Sequence, residues 1–413
     1  MHRRELLKWS GAAMAAGLAA PALAMNGGVA GDQLAVYFAD ASAAAKELGF
    51  TGEALQAALP RQALMVLAGS YTAVFGSDIE NPEFIPYIPY FMPYLAPNPD
   101  TFYGIAPIDS QGVYRVSGTK GTETIAGVVM RDGGAHLGRL SGRRVGEIDL
   151  ASIEADDDGN FSFLLSRERP ADNREQWFAL PAETRCLMAR RVTKTLAERD
   201  GQWDVQRLDL PPKPLAQTLA KNEERVAQVL ACAKTTFRFL LGYMNGLRAK
   251  GAEQGFILDE QTDYGGLVSQ IYFFHLFNLA ADEALIIEST APAAKYWSLQ
   301  VLDPFATSLD FVHHQTFMND AQAHVDADGK VRFVLCASDP GVANWLDSGG
   351  WQQGGGLLWR WNEAAETPQP TVRKIKLSGL RAALPAGTLW LDEAGRREAL
   401  TARAHFYKNR RLF

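Results

Sequence analysis

The run Asn98-Pro99-Asp100-Thr101-Phe102-Tyr103 closes a stretch, from Asn81 to Pro99, in which prolines recur among aromatic residues. Asn before Pro starts turns, so an Asx turn that fixes the loop accounts for this motif without any chemistry. The sharper reading makes Asp100 and Tyr103 a carboxylate and a phenol beside Tyr87, Tyr90 and Tyr94, an acid/base pair in an aromatic cleft. Arg131, just past the apolar run ending at Met130, would anchor a substrate oxygen there or else form an exposed salt bridge. In Tyr296–Asp303, period-two alternation puts Trp297, Leu299 and Val301 on a core face and Tyr296, Ser298 and Gln300 on a polar wall. Asp303 ends that element at a loop, where sites are commonly mounted. His313 and His314 point to opposite faces of an extended chain and do not readily share one ion. Asp310 and His314 would share a strand face about 13 Å apart. His314 is the candidate pocket residue or general acid/base, with a hydrogen-bonded role in holding a loop as the plainer alternative.

Trp345, in the loop from Asn344 to Gly350, either packs beneath that loop or stacks on a ring of a cyclic ligand. With Trp351, Trp359 and Trp361 it would form the stacking platforms of a non-catalytic binder of glycans or hydrophobic compounds. Gly354-Gly355-Gly356 lacks the Lys-Ser/Thr of a phosphate loop and reads as a bulge or loop. Asp156-Asp157-Asp158-Gly159-Asn160 lacks the closing Glu of a calcium loop and reads as a hairpin turn. Cys186, Cys232 and Cys336 are distant, odd in number and without a C-x-x-C, hence buried small hydrophobes. There is no G-x-S-x-G, no H-E-x-x-H, no dinucleotide fingerprint and no haem-attachment motif. No cofactor and no metal site is therefore expected, and the partner expected is a small molecule.

These residues need elements to position them. Residues 31–76 carry apolar side chains at helical spacing, among them Leu34, Tyr37, Phe38, Leu55, Leu59, Leu64 and Leu67. The proline-aromatic stretch is barred from helix and predicts an extended segment that wraps a surface or lines a cleft. Alternating runs, such as Phe161 to Leu165 and Thr184 to Val192, predict antiparallel strands up to about Asp209. Pro211 to Pro214 breaks the chain, a helical stretch to about Lys250 and an apolar run from Leu267 to Ala280 follow, and strand patterns then return. The fold expected is mainly β with helical segments, in two antiparallel sandwich or jelly-roll domains each preceded by helices. The first residues, Met1-His2-Arg3-Arg4-Glu5-Leu6-Leu7-Lys8 and a small-residue apolar run, match a twin-arginine export signal cut after Ala24, which predicts a periplasmic or secreted protein. The predicted division is an export signal at 1–24, a helical entry segment at 25–80, a β-domain at 81–210, a helical linker region at 211–280, a second β-domain at 281–380 and a helical tail at 381–413. That tail, basic from Arg396 to Arg411, reads as a solvated face. The net charge of −6, without a basic stripe, argues against nucleic acid, and no segment after the export signal is apolar and long enough to span a bilayer.

Scattered motifs in the second half carry a family resemblance: Tyr296-Trp297, His314-Gln315, Asn319-Asp320, Asp328-Gly329, Asp339-Pro340-Gly341-Val342, Asn344-Trp345-Leu346-Asp347 and Arg360-Trp361. They resemble the bacterial domain of unknown function numbered twelve-fourteen. The first half, through the Asn98 to Tyr103 motif, is loosely similar to the domain numbered twelve-fifty-four that often accompanies it. The resemblance implies a sandwich or jelly-roll arrangement in a bacterial, often exported protein, and brings no catalytic residues. The function expected is cofactor-free acid/base chemistry (isomerisation, hydration or elimination, or hydrolysis) on a small apolar or cyclic molecule between the β-domains, through Asp100, Tyr103, His314 and Asp303. The alternative is the non-catalytic binder.

Overall fold

The computed structural model describes residues 29–140, 142–211, 221–259 and 265–410. The expected export signal lies outside the described residues, as does most of the break after Pro211. Two helices, α1 (Val29–Glu47) and α2 (Glu53–Phe75), open the described chain. The first half then supplies β1 (Ile85–Pro86), β2 (Thr101–Pro107), β3 (Tyr114–Thr119), β4 (Ile125–Arg131), β5 (Arg144–Asp149), β6 (Asn160–Ser166), β7 (Gln176–Ala179), β8 (Cys186–Val192) and β9 (Gln202–Arg207). A long helix, α3 (Asn222–Ala249), leads into β10 (Ile257–Asp259), β11 (Gln270–Asn278), β12 (Glu283–Thr290), β13 (Tyr296–Leu302), β14 (Phe317–Asn319), β15 (Lys330–Cys336), β16 (Trp345–Asp347), β17 (Gln353–Asn362) and β18 (Thr371–Lys376). Helix α4 (Glu393–Arg410) closes the described chain. The architecture is mainly β, in two sandwiches each preceded by helices. Among the described residues no helix is long and apolar enough to cross a membrane.

The two sandwiches have one topology. In the first, a five-stranded sheet β1-β2-β8-β4-β5 faces a four-stranded sheet β7-β6-β3-β9; in the second, β10-β11-β17-β13-β14 faces β16-β15-β12-β18. Adding nine to each strand of the first half gives its counterpart in the second. The directions agree as well: both halves are antiparallel except for the β6–β7 pair and its counterpart β15–β16, which are parallel. The halves are thus a structural duplication that no close sequence repeat announces.

Each sandwich has its own core. The first is built from alternating residues such as Tyr114, Val116, Val128, Met130, Phe163 and Leu187. The second is aromatic, with Phe273, Trp297, Phe333, Trp359 and Trp361 between its sheets. Helix α3 buries Val229, Cys232, Ala233, Thr236, Phe237, Leu240, Leu241, Met244 and Leu247, the three- and four-residue spacing of an amphipathic helix. That stripe joins α1, α2 and the inner strands in a third core that runs between the sandwiches. All three cysteines are buried and free.

Three expectations are corrected. Residues 257–259 and 270–278 are not part of a helical linker; they are β10 and β11 of the second sandwich. Strand β11 is apolar on both faces, because one packs on the tryptophan core and the other on the space between the sandwiches, so it lacks the alternation that marks a half-buried strand. The basic C-terminal helix is not simply a solvated face: Arg396 and Arg403 are buried, and Arg403 Nη2 donates to the Phe317 carbonyl at 2.6 Å. The tryptophans do not form an exposed row, since Trp359 and Trp361 are fully buried and Trp345 nearly so, its indole N–H donating to the Cys336 carbonyl at 3.1 Å. The Gly354–Gly356 run lies at a bulge opposite Phe277 and Asn278. A Cβ on Gly355 would fall 2.2 Å from the Phe277 ring, so the backbone there must come close to that ring.

Candidate functional site

A cavity of about 120 Å3 lies between the two five-stranded sheets, bounded by β2, β4 and β8 on one side, β11 and β17 on the other, and α3 across one edge. Its walls are largely apolar, with Met188, Leu240, Phe274 and Leu358 among them. Against this background stand Arg131, Arg190 and Arg360, together with Tyr87, Tyr103 and Tyr272.

The strand pairings explain how the polar groups arrive. Tyr103 on β2 lies directly opposite Arg190 on β8, and Tyr272 on β11 lies directly opposite Arg360 on β17. Opposed residues of an antiparallel pair share a face, so each half presents one Tyr–Arg pair to the cavity. The equivalence extends to individual hydrogen bonds. The Asn98 backbone N–H donates to the Tyr103 hydroxyl at 3.0 Å. Arg190 Nη2 donates to the Gly265 carbonyl at 2.6 Å, ahead of β11. Arg360 Nη2 donates to the Ala96 carbonyl, ahead of β2. Each arginine therefore reaches the loop that leads into the other half's strand.

The pairs differ in one respect. Arg360 Nη1 donates to Gln300 Oε1, but the position equivalent to Gln300 is Val129, which has no acceptor. Arg190 Nη1 is accordingly buried with no partner. Arg131 Nη2 donates to the Leu140 carbonyl at 2.7 Å. Among the described residues none of the three guanidiniums has a carboxylate within ion-pair distance. Glu147 is the acid whose field reaches Arg190; its carboxylate accepts from the Val268 N–H at 3.1 Å, and burial raises its pKa.

The backbone around the cavity is strained. Five non-glycine residues have left-handed backbone among the described residues, and Ile88 (φ 47°), Leu95 (φ 66°), Ala96 (φ 48°) and Ala306 (φ 56°) all line the cavity. Left-handed backbone at a β-branched residue such as Ile88 is disfavoured and persists only where the surroundings over-determine it, a condition met most often at functional sites. Asp303 supplies part of that determination: its Oδ1 accepts from the Phe305 and Thr307 N–H groups at 2.8 and 2.9 Å, shaping the turn that holds Ala306. The Ala96 N–H in turn donates to the Ala306 carbonyl at 2.8 Å.

Of the residues singled out in the sequence, Tyr87, Asn98, Tyr103 and Arg131 line the cavity. Arg131 is buried there, not in an exposed salt bridge. The Tyr87 hydroxyl is buried without a hydrogen-bond partner; burial drives its pKa up, and the nearby Arg131 guanidinium opposes this only in part. Tyr94 is wholly buried behind Tyr87, seated on Gly69 of α2, where a Cβ would come within 2.2 Å of its hydroxyl. Tyr90 is exposed, and Trp345 packs in a cluster with Val334, Leu380 and Leu384, with the Arg396 guanidinium over its ring. Asp100 is fully buried beside the cavity: its carboxylate accepts from Asn319 Nδ2 (2.7 Å), the Tyr296 hydroxyl (2.9 Å) and the Tyr407 hydroxyl (3.0 Å). Burial outweighs these bonds and raises its pKa to about 6. Tyr296 is spent on this knot, which joins β13, β14 and α4 to the start of β2. Asp303, also raised to about 6 by burial, shapes the turn and does not face the cavity. His314 is exposed, its Nδ1 3.2 Å from Asp347 Oδ2, and Asp310 bonds to His313 instead. The structure thus gathers the phenols and Arg131, but not the proposed catalytic set of Asp100, Tyr103, His314 and Asp303.

Sequence reasoning missed Arg190, Arg360 and Tyr272. A signal for them exists in Leu187-Met188-Ala189-Arg190 beside Leu357-Leu358-Trp359-Arg360. It is too short to stand out without the strand pairing.

Residues 278–354 match the family described as a protein of unknown function, DUF1214. The chain matches no curated protein. A crystal structure of an uncharacterised protein from Burkholderia cenocepacia is similar at 25% identity and a TM-score of 0.76, covering 86% of this chain and 99% of that one. A Vibrio parahaemolyticus protein has 12% identity and a TM-score of 0.44 over 76% of this chain and 98% of its own.

Proposed function

We propose that the cavity between the sandwiches binds a small organic anion with an apolar body. The carrying observation is the buried Nη1 of Arg190, which lacks any partner, in a largely apolar cavity that also receives Arg131 and Arg360 and, among the described residues, no carboxylate. A guanidinium N–H buried without an acceptor costs about 1–3 kcal/mol, and a protein retains one where a ligand supplies the missing acceptor. Guanidinium is also the group best shaped to grip a carboxylate.

The test is a thermal-shift panel of aliphatic and aromatic carboxylates beside their neutral methyl esters. Carboxylates should raise the melting temperature and the esters should not. Arg190→Met should abolish the shift in a variant that still melts cooperatively, because it removes the unsatisfied Nη1 donor. Equal stabilisation by acids and esters would sink the proposal.

Acid/base turnover in the same cavity is a second reading, favoured by Tyr87. Its buried hydroxyl stays protonated at neutral pH and is placed to give a proton beside Arg131. On the same proposal the first sandwich is the twelve-fifty-four partner of a twelve-fourteen module, since the halves share one strand order and contribute equally to the cavity. Export belongs to the proposal as well; fractionation of cells carrying Arg3→Lys with Arg4→Lys would show the chain retained inside.

A further inference from the structure

The duplication does more than build a cavity. Each half brings a tyrosine hydroxyl to the cavity, Tyr103 and Tyr272, and the Tyr103 hydroxyl already accepts the Asn98 backbone N–H at 3.0 Å. With that lone pair engaged, the Tyr103 hydroxyl has its proton to offer, and among the described residues no acceptor takes the proton of either hydroxyl. Directly across the strand pair from each hydroxyl stands a guanidinium. An O–H donor beside guanidinium N–H donors is a receptor for an oxyanion. The structure holds two such receptors, related by the duplication, with the apolar side chains Met188 and Leu358 at equivalent positions next to them.

We propose that the ligand is two-headed, a dicarboxylate whose ends engage the Tyr103–Arg190 and Tyr272–Arg360 pairs and whose apolar body lies between them. The proposal rests on the reading that the cavity takes an organic anion, and it deepens that reading by specifying the charge. A monoanion would leave at least two of the three guanidiniums unneutralised in a largely apolar space; two carboxylates leave one, which Arg131 spreads over the Leu140 carbonyl. The two ends are unequal. Arg360 is already held by Gln300 and Arg190 is not, so the Arg190 end has more to gain from the ligand and dominates the affinity.

The experiment is calorimetric titration of the unaltered protein with linear α,ω-dicarboxylates from succinate to sebacate, each beside its monomethyl ester. At the best-fitting length the diacid should bind about tenfold or more tightly than the half-ester, the worth of one charge-assisted contact. Arg360→Met should bring the diacid down to the half-ester's affinity, and Arg190→Met, which removes the dominant end, should weaken it further still. Half-esters that bind as tightly as diacids at every length would overturn the two-headed ligand and leave the anion site standing. If neither diacids nor half-esters bind, while the protein melts cooperatively, both readings fall. The comparison on the unaltered protein stands even if a variant fails to fold.

Discussion

Asp100→Ala should destabilise the protein by about 2–4 kcal/mol at pH 7.5, and by more at pH 5. Two terms set the size. The substitution strands three buried donors, on Asn319, Tyr296 and Tyr407, at about 1–3 kcal/mol each. It also relieves the cost of burying an ionised carboxylate, which a pKa raised from 3.8 to about 6 puts at about 3 kcal/mol. The sign follows from linkage. A carboxyl whose folded pKa lies above its unfolded value contributes stability that is fully present below the unfolded pKa of 3.8 and is lost as pH rises through the folded value of about 6. The groups around Asp100 that shape this titration are Tyr296, Tyr407, Asn98, Asn319, Arg403 and Arg410. Chemical denaturation of the parent and variant at both pH values measures the difference and cancels most other titrations. Among those is Asp328, held at about 2 mainly by its bond to Arg332, which loses stability in strong acid. A cost that stayed constant across the range would refute a raised pKa at Asp100.

Asp100 also shows where reading the sequence stops. The Asn98 to Tyr103 motif invited two readings, a turn and an acid/base pair, and the structure contains parts of both. Asn98 Oδ1 does accept from the Asp100 N–H at 3.1 Å as in an Asx turn, and Tyr103 does face the cavity. The carboxylate, however, is consumed by Tyr296, Asn319 and Tyr407, which lie far along the chain. Local spacing fixes which way a strand residue faces, but not what the opposite element will bring. The same limit applies to the polar wall of Tyr296, Ser298 and Gln300. Alternation assigned its face correctly, yet that face meets the first half and not water, with Gln300 Nε2 donating to the Pro97 carbonyl at 3.3 Å. Strands and turns with strong local signals were legible: the Asp156–Asn160 turn closes with Gly159 at φ 83°, and the runs at Phe161 and Cys186 are strands. Strand β11 and the arginine pairs were not, since each is defined by burial on two sides or by pairing across the sheet. The duplication joins these points, because positions equivalent in the fold carry Tyr and Arg in both halves while their neighbours have diverged.

Trp359→Ala should cost about 3–5 kcal/mol, whereas Trp359→Phe should cost much less. Trp359 has no exposed surface and sits at the centre of the second sandwich, with ring centroids 5.5 Å from Phe333, 5.7 Å from Trp361 and 6.1 Å from both Trp297 and Phe256. Truncation to Ala removes all of these contacts and leaves a cavity that strands on both sides are too constrained to fill. Phe keeps an aromatic ring in place. It also removes an indole N–H that is buried without a hydrogen-bond partner, so that part of the substitution recovers a solvation cost instead of adding one. A stacking platform would behave differently: Trp359→Ala would then weaken ligand binding at unchanged stability. Urea denaturation read beside carboxylate binding separates the two, and core packing requires a large loss of stability with the Ala variant. Trp359 lies directly next to Arg360 on β17, so the ring pins the strand from the core side while the guanidinium projects from the opposite face into the cavity. In the first half the equivalent neighbour of Arg190 is Ala189. The same arginine position is therefore anchored by a large buried ring in one sandwich and by a methyl group in the other, which makes the Arg190 end of the cavity the one freer to adjust around a ligand.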